Sequence, residues 1–534
     1  MPKVQITETY KYGSSALDLS NFAVYIPVLA IDKPVDPVLY KSYKDLYLAN
    51  YGQKAGEINW NDVKLYDDSK MQYAIVRKLL EKGLPVLVEG VKVKQTASVI
   101  DNIYNFTSYP TGSYEEPYAT GQVVVEEEVT FNETDYYKVK VTANTIEGFE
   151  GKEYYIDANA TVGDNKYTLY ELDEDGTPVA TQIDVTIDNL IYTPGNNIPD
   201  IKSWDKIVDK ALYNIRFISF AGWDVDNELV TKAIECASAR KDCIVLLDDP
   251  KTLNSDTKDT NINIIVNPIY KDSVSDQVGK VRTYFEQFSF LENDKLKNAA
   301  AFTPWINVYL NKLEKTTNTV KDVVDEFTVP ASFGYLSTFA TSIKTNPEWF
   351  ANAGSFRGII EELVDNTAVT YTYTSAEVEL LQGRSKTYVV DLNSPNDNIG
   401  MGINPISKII PFGYMINGNR TLYIGTVEED NRPNFRALLS IRNLVATIAK
   451  TLYVASKKYT FEPNSDITYI NFKSEITPIL DKMRSGLGIR GYKFERIATT
   501  AKGRISARIT IKPIEPCEDF DLYIELDDSV DIIE

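Results

Sequence analysis

The chain reads as an α+β multidomain protein. It combines α/β core domains, an inserted all-β, sandwich-like domain, and short strand-forming arms at both ends. Three observations carry this reading. A strand, a helix and a buried strand follow one another near the N-terminus. Short strands separated by turns fill residues 97–200. Two matched amphipathic helices lie between residues 435 and 487. At 534 residues the chain exceeds one hydrophobic core, and its 43% apolar content is ample for folding.

Taken in order, residues 3–12 alternate around Val4, Ile6, Thr7 and Tyr10, the pattern of a strand. Residues 22–31 form a more buried strand, and Lys33-Pro34-Val35-Asp36-Pro37 reads as a stiff surface turn. A short helix is expected at 42–50. Residues 68–82 place Met71, Ile75, Val76, Leu79 and Leu80 on one helical face, ahead of the near-continuous apolar strand 84–91. From 97 to 200 no helical stripe interrupts the strands. Residues 101–200 hold 20 acidic side chains against four lysines and no arginine, so −16 of the total charge of −20 is local. A solvent-facing module explains that charge, and so does a cationic partner; a duplex-binding surface is opposed by it.

Beyond the linker at 193–199, helices are expected at 204–212, 227–240 and 274–288, with strands at 217–220 and 243–247. Asp248-Asp249 at a strand's carboxyl edge suits a metal or a nucleotide's magnesium, but no phosphate-binding glycine loop precedes it, and a solvent-facing strand end explains it equally. An apolar strand then runs through 299–308, a helix is expected at 335–342, and Trp349-Phe350-Ala351-Asn352-Ala353-Gly354 reads as a packed corner or, if exposed, an interface anchor. A helix at 375–382 and a strand at 386–392 follow. Phe435, Leu438, Ile441, Arg442, Val445, Ile448, Leu452 and Ala455 form one helical stripe whose only charge is Arg442; Phe472, Ile476, Ile479, Leu480, Met483 and Leu487 form the second. Pro463 breaks the pattern between them, Asn464 is placed to cap the second helix, and Gly486 and Gly488 end it. Strands close the chain at 492–498, 504–512 and 520–526, ahead of an acidic end.

Ile403-Asn404, then Gly413 to Gly418-Asn419-Arg420-Thr421-Leu422, then Arg436 and Arg442, Phe461-Glu462-Pro463-Asn464, and Gly486 to Gly491-Tyr492 occur in that order over about ninety residues. In this order the segment resembles the C-terminal domain of contractile phage tail sheath proteins. The apolar strand running into Pro304-Trp305 and the Trp349 to Gly354 passage resemble the same family. The resemblance implies an N-terminal arm (1–20), an α/β core (21–96 with 201–400), a C-terminal sheath domain (401–512) and a C-terminal arm (513–534); the acidic β insertion (97–200) is where the chain departs from the compact sheath pattern. It gives Trp305, Gly354, Asn404, Gly413, Gly418, Arg420, Pro463, Asn464 and Gly491 structural roles. It makes Val4, Ile6, Thr7, Tyr10, Phe520, Leu522, Ile524 and Leu526 strands exchanged between subunits. Arg436, Arg442, Lys482, Arg484 and Arg490 become candidate tube-facing or structural basic residues.

The partners so implied are further copies in a helical stack of hexameric rings, a tail tube protein, and baseplate and tail terminator proteins. No nucleic acid is contacted directly and no membrane association is stable. The expected location is a virion's contractile tail, assembled in the host cytoplasm, with the acidic insertion on the outside. A phage-derived bacteriocin or injection particle is the alternative; a tail-associated glycan-binding protein is a further one, since eleven tyrosines in 101–200 suit sugar stacking as well as a β core.

No cofactor or enzymatic activity is expected. The chain has no histidine, which removes catalytic triads and histidine metal sites, and none of the phosphate-loop or nucleophile-elbow motifs occurs. Cys236, Cys243 and Cys517 lack metal-site spacing, no 18-residue apolar run is present, and residues 1–4 open no apolar leader, so reduced cytosol is the expected compartment of synthesis.

Overall fold

The computed structural model describes residues 22–31, 33–52, 65–67, 69–94, 103–110, 119–131, 134–144, 153–157, 166–173, 177–187, 198–251, 276–315, 320–364, 367–382, 402–424, 435–497 and 504–517. The strands expected at 3–12, 386–392 and 520–526 lie outside these residues, and so do Val4, Ile6, Thr7, Tyr10, Phe520, Leu522, Ile524 and Leu526. Two compact units emerge, Met1–Lys92 with Ile201–Glu534, and Val93–Asp200.

The first unit begins with β1 (Ala23–Leu29), whose side chains are buried on both faces, as a central strand of a covered sheet requires. The turn expected at 33–37 is instead the start of β2 (Val35–Tyr40), paired antiparallel to β3 (Val86–Val91). Pro37 fits there because β2 is an edge strand and its register shifts between Val35 and Val38. Helix α1 (Tyr43–Tyr51) starts where the Ser42 hydroxyl accepts the Asp45 N–H at 3.3 Å. Helix α2 (Met71–Glu81) buries Tyr73, Ala74, Val76, Leu79 and Leu80, and also Arg77, which grips Asp322 with two hydrogen bonds of 2.7 and 2.8 Å.

The second unit contains β4 (Ile103–Pro110), β5 (Ala119–Phe131), β6 (Thr134–Asn144), β7 (Glu153–Asp157), β8 (Lys166–Leu172) and β9 (Pro178–Ile187). These strands form a closed antiparallel barrel, not the expected sandwich. The difference lies in one pairing: β4 bonds to β9 from Phe106 opposite Ile187 to Pro110 opposite Ile183, which removes both free edges. Val139, Tyr154, Ile156 and Leu169 are buried, while the rings of Phe131, Tyr136, Tyr155 and Tyr170 are half-buried and meet edge-on.

The first unit resumes with α3 (Trp204–Val208), β10 (Ile215–Ser219), α4 (Asn227–Arg240), β11 (Ile244–Asp248), α5 (Asp276–Glu286), α6 (Asn293–Leu296) and β12 (Ala299–Thr303). Helix α4 matches its expected span residue for residue, because Asp226 caps Leu229 N–H at 2.7 Å and Lys241 leaves the helix at φ 65°. A long antiparallel hairpin that the sequence reading lacked follows, β13 (Ile306–Lys315) with β14 (Val320–Val329). Then come α7 (Ala331–Ser342), α8 (Gly354–Arg357), α9 (Ser375–Leu381), β15 (Ile403–Ile409) and β16 (Gly413–Ile416).

The main sheet has the order β16-β15-β12-β11-β10-β1-β3-β2, parallel in its six central strands and antiparallel at both edges. β15 and β16, expected within the C-terminal domain, complete this sheet. One face is packed by α1, α2 and α7, whose Leu46, Leu79, Leu336 and Phe339 join Val24, Phe217 and Phe302 in one core. Helix α4 packs on β11.

Helices α10 (Leu439–Lys458) and α11 (Asp466–Ser485) and the hairpin of β17 (Ile489–Ile497) and β18 (Ser506–Pro513) end the described chain. Leu444, Ile448, Ile476, Leu480 and Met483 are buried together with Trp349, each worth about 1.5–3 kcal/mol. Ser465, not Asn464, caps α11, accepting the Thr468 N–H at 3.2 Å. Gly486 keeps φ −85°, and it is Leu487 that turns left-handed, at φ 57°, leaving its side chain 62% exposed instead of completing the stripe. The two glycines serve the indole of Trp349: a Cβ on Gly488 meets its Nε1 at 2.9 Å, and that nitrogen donates to the Gly486 carbonyl at 3.0 Å. Pro478 stands inside α11, where it removes one backbone donor.

Asn404 holds the crossing that leads from the sheet to α10. Its side-chain nitrogen donates to the Ala301 and Arg420 carbonyls, both at 2.9 Å, and its oxygen accepts the Arg420 N–H at 2.6 Å. Asn404→Ala is expected to cost about 3 kcal/mol and to speed amide hydrogen exchange in β12 and β15 about a hundredfold. Gly418→Ala, whose Cβ meets Asn404 Cα at 2.9 Å, should act in the same direction; unchanged exchange in both variants counts against the clamp.

Candidate functional site

In a doubly wound sheet, ligands bind outside the carboxyl ends of strands where the winding reverses. Here that point lies between β1 and β10. The loop after β10 brings Trp223 there, buried, with its Nε1 donating to the Pro27 carbonyl at 2.9 Å. A Cβ on Gly222 meets the Met71 methyl at 2.2 Å and the Trp305 ring at 3.2 Å, so the crevice is filled by side chains.

The neighbouring strand ends are sealed as well. Asp249 is buried, contrary to the solvent-facing expectation; its carboxylate accepts from Thr303 Oγ1 at 2.9 Å and its carbonyl from Trp305 Nε1 at 2.6 Å. Asp248 accepts from the N–H and hydroxyl of Ser332 at 2.7 and 2.6 Å, anchoring the first turn of α7. Burial pushes its carboxyl up to about 7. No group of three or more metal-ligating residues occurs among the described residues.

A buried ion pair ties the helical hairpin to the sheet, and a second one closes the end of α4. Arg216 of β10 meets Glu348 at 3.3 Å and donates to the Asn443 carbonyl and Thr447 hydroxyl of α10, at 3.0 and 3.1 Å. Thr447 also donates to Glu348. Burial raises the Glu348 carboxyl to about 7, with Arg216 pulling it down. Arg240 pairs with Asp242 at 3.1 Å. The sequence reading missed Arg216 and Glu348, 132 residues apart; the one local signal is an arginine inside the apolar run of β10.

The residues singled out from sequence separate into groups. Trp305, Asn404 and Arg420 are buried, and Gly418 lies against Asn404. Gly354 and Gly413 take φ 71° and 97° in open space, so backbone conformation is what selects glycine there. Pro463 and Asn464 are exposed in the turn, and Gly491 sits at the register shift of β17. Arg484 lies 3.6 Å from Asp481; Lys482 is half-buried and Arg490 exposed.

Arg436 and Arg442 come together. With Lys297 they line a cleft of about 180 Å³ whose remaining walls are Phe435, Ile441, Val445, Ile511 and Pro513. Lys297, from the stretch before β12, carried no sequence signal. Arg442 is buried, donates to Asn298 Oδ1 at 2.6 Å, and is lowered to about 10 by that burial.

Beside the cleft, β17 and β18 form a sheet of two strands, with no further strand on either edge among the described residues. Tyr492, Phe494, Ile509 and Ile511 pack toward α11, so one face is covered. At the other end of α11, Phe461 (φ 75°), Ile467 and Ile470 are exposed apolar side chains.

Three similar solved structures are a chain each of two anti-feeding prophage baseplates and of the PVC sheath complex. A chain of the anti-feeding prophage baseplate, solved with six-fold symmetry, is 11% identical with a TM-score of 0.47, covering 99% of this chain and 100% of its own. A chain of the PVC sheath complex, from an extracellular contractile injection system in the contracted state, is 12% identical with a TM-score of 0.46, covering 99% and 98%. A chain of the contracted anti-feeding prophage baseplate covers 61% of this chain and 72% of its own, at 15% identity and a TM-score of 0.39. No protein-family model matches the chain, and no curated protein does.

Asp248 supplies a test of the sealed edge. A carboxyl raised from 3.8 to about 7 keeps its proton in the folded chain after the unfolded chain has released it, so its contribution is present at low pH and is lost as pH rises through about 7. Urea midpoints followed by tryptophan fluorescence should fall between pH 4.5 and 7.5 in the wild type, and less steeply in Asp248→Asn. Parallel slopes in the two proteins argue that Asp248 is ionised and solvated.

Proposed function

We propose that this chain is the structural subunit of a contractile sheath. It assembles as stacked rings, hexameric by the family resemblance, around a tail tube between a baseplate and a terminator. On triggering, the subunits repack into a shorter, wider helix that drives the tube through a cell envelope. The motif order from Ile403 to Tyr492 supports the family. The two-stranded sheet β17–β18, which has no third strand among the described residues, is the observation that carries the assembly mechanism.

A lone two-stranded sheet is marginal in water, and its unpaired edges invite strand addition. Residues 3–12 and 520–526 have the alternation of such strands, with Val4, Ile6, Thr7, Tyr10, Phe520, Leu522, Ile524 and Leu526 as the side chains that set register. Each added strand of about five residues contributes roughly 5 kcal/mol at 1 kcal/mol per net hydrogen bond, enough to link neighbours. Work then comes from repacked interfaces between bodies stiffened by pairs such as Arg216–Glu348, while the arms keep subunits connected. No nucleotide enters this mechanism. A phage tail in a virion is the leading setting, and a phage-derived bacteriocin or injection particle uses the same subunit geometry.

Negative-stain microscopy of the purified chain should show long tubular polymers, and a chain lacking residues 1–20 should remain as separate particles. Monomers at high concentration from the intact chain sink the proposal. Removing residues 101–197 should leave tube formation intact; a folded variant that no longer polymerises places the barrel within the lattice contacts.

A further inference from the structure

Helix α10 contains no acidic residue, and Lys450, Tyr453 and Lys457 follow one another along it at steps of three and four, so they share one face. Lys210, in the turn after α3, reaches the same aromatic ring. The ammonium nitrogens of Lys210, Lys450 and Lys457 lie 5.7, 5.6 and 5.3 Å from the Tyr453 ring centre. The ring attracts each cation, but three ammoniums about one ring repel one another. The carboxylate that faces Lys210 and Lys450 is Asp242, and it is already engaged: buried, it accepts from Arg240 at 3.1 and 3.4 Å and stands 3.9 Å from Lys450. Asp209, next to Lys210 in the chain, accepts the Ala211 N–H at 2.8 Å. Lys210 and Lys457 make no salt bridge among the described residues. Burial lowers the Lys210 and Lys450 amines below the usual lysine range, Asp242 opposing the effect and Arg240 adding to it.

The cluster is half-buried at Lys210 and Lys450 and open to solvent at Lys457, so an ion can reach it. A ligand with one charge satisfies one amine. Bridging three takes several negative charges in a small volume, which is phosphoryl chemistry. Lysine binds phosphate as a point charge, whereas the arginine fork matches a planar carboxylate, and both nearby arginines, Arg216 and Arg240, are paired with Glu348 and Asp242. The Tyr453 hydroxyl has no hydrogen-bond partner among the described residues and is a further donor on the same helical face. We propose that Lys210, Lys450 and Lys457, gathered around Tyr453, bind a short chain of phosphoryl groups, and that the bound anion clamps α10 to the turn after α3. The site needs no polymer, so it stands or falls separately from the sheath reading.

The test titrates the full-length chain with sodium tripolyphosphate by calorimetry, at a fixed ionic strength of about 0.15 M. One saturable site per chain is expected. Lys210→Gln and Lys457→Gln should each weaken binding about tenfold, while Lys232→Gln, in the exposed pair with Glu228, should leave it unchanged. No saturable binding, or an equal loss in all three variants, overturns the proposal. The wild-type chain gives a second reading that needs no substitution. Labelling with acetic anhydride, followed by peptide mass spectrometry, should show Lys210, Lys450 and Lys457 protected about tenfold at saturating tripolyphosphate, with Lys232 labelled as before. Protection spread evenly over the surface lysines, or absent from these three, overturns the proposal too. ATP as competitor separates the sources of the phosphoryl groups. Displacement of tripolyphosphate admits nucleotides to the site, and failure to displace it restricts the site to free polyphosphate; both outcomes uphold phosphoryl binding.

Discussion

Asn404 is the constraint on which the arrangement of the larger unit depends. A parallel strand at the end of a sheet must hand its chain to the next element without leaving polar backbone groups stranded. Asn404 solves this at the β12–β15 boundary, binding one carbonyl of β12 and both backbone groups of Arg420. Arg420 in turn bridges Leu438, and Asn419 accepts from Leu439 N–H and Ser440 N–H at 3.1 and 2.9 Å. The start of α10 is thereby set, and with it the place where Arg442 and Thr447 meet the sheet.

The sheet has the strand order of a nucleotide-binding fold and a different use for its carboxyl edge. Trp223, Trp305, Asp248 and Asp249 spend their polar atoms on the protein itself, locking the loops that such folds leave open for ligands. The result is a stiff body whose available chemistry lies on strand edges and on the rim around α10.

Local patterns were legible where the answer depends on neighbours a few residues apart. The α4 stripe between Asp226 and Lys241, the covered strands β1 and β3, and both long helices follow from periodicity and caps. Closure of the barrel was not legible, because it turns on Phe106 meeting Ile187, 81 residues away in sequence. The β13–β14 hairpin escaped notice because its strands are laced with lysine and acid and the connecting Thr-Thr-Asn-Thr lacks a glycine or proline. Arg442 could be singled out as the lone charge of its stripe. Lys297 and Asn298, which complete its surroundings, come from a distant stretch with no pattern of their own.

Helix α11 is seated at its C-terminal end and carries exposed apolar side chains at its N-terminal end. Met483 and the Gly486 carbonyl seat it on Trp349, whereas Phe461, Ile467 and Ile470 crowd the far tip with no described cover. Pro478 falls between, and the missing rung there makes it the softest point along the rod. A load on that tip meets the missing rung at Pro478 before the Trp349 seat, so the helix is expected to bend there first.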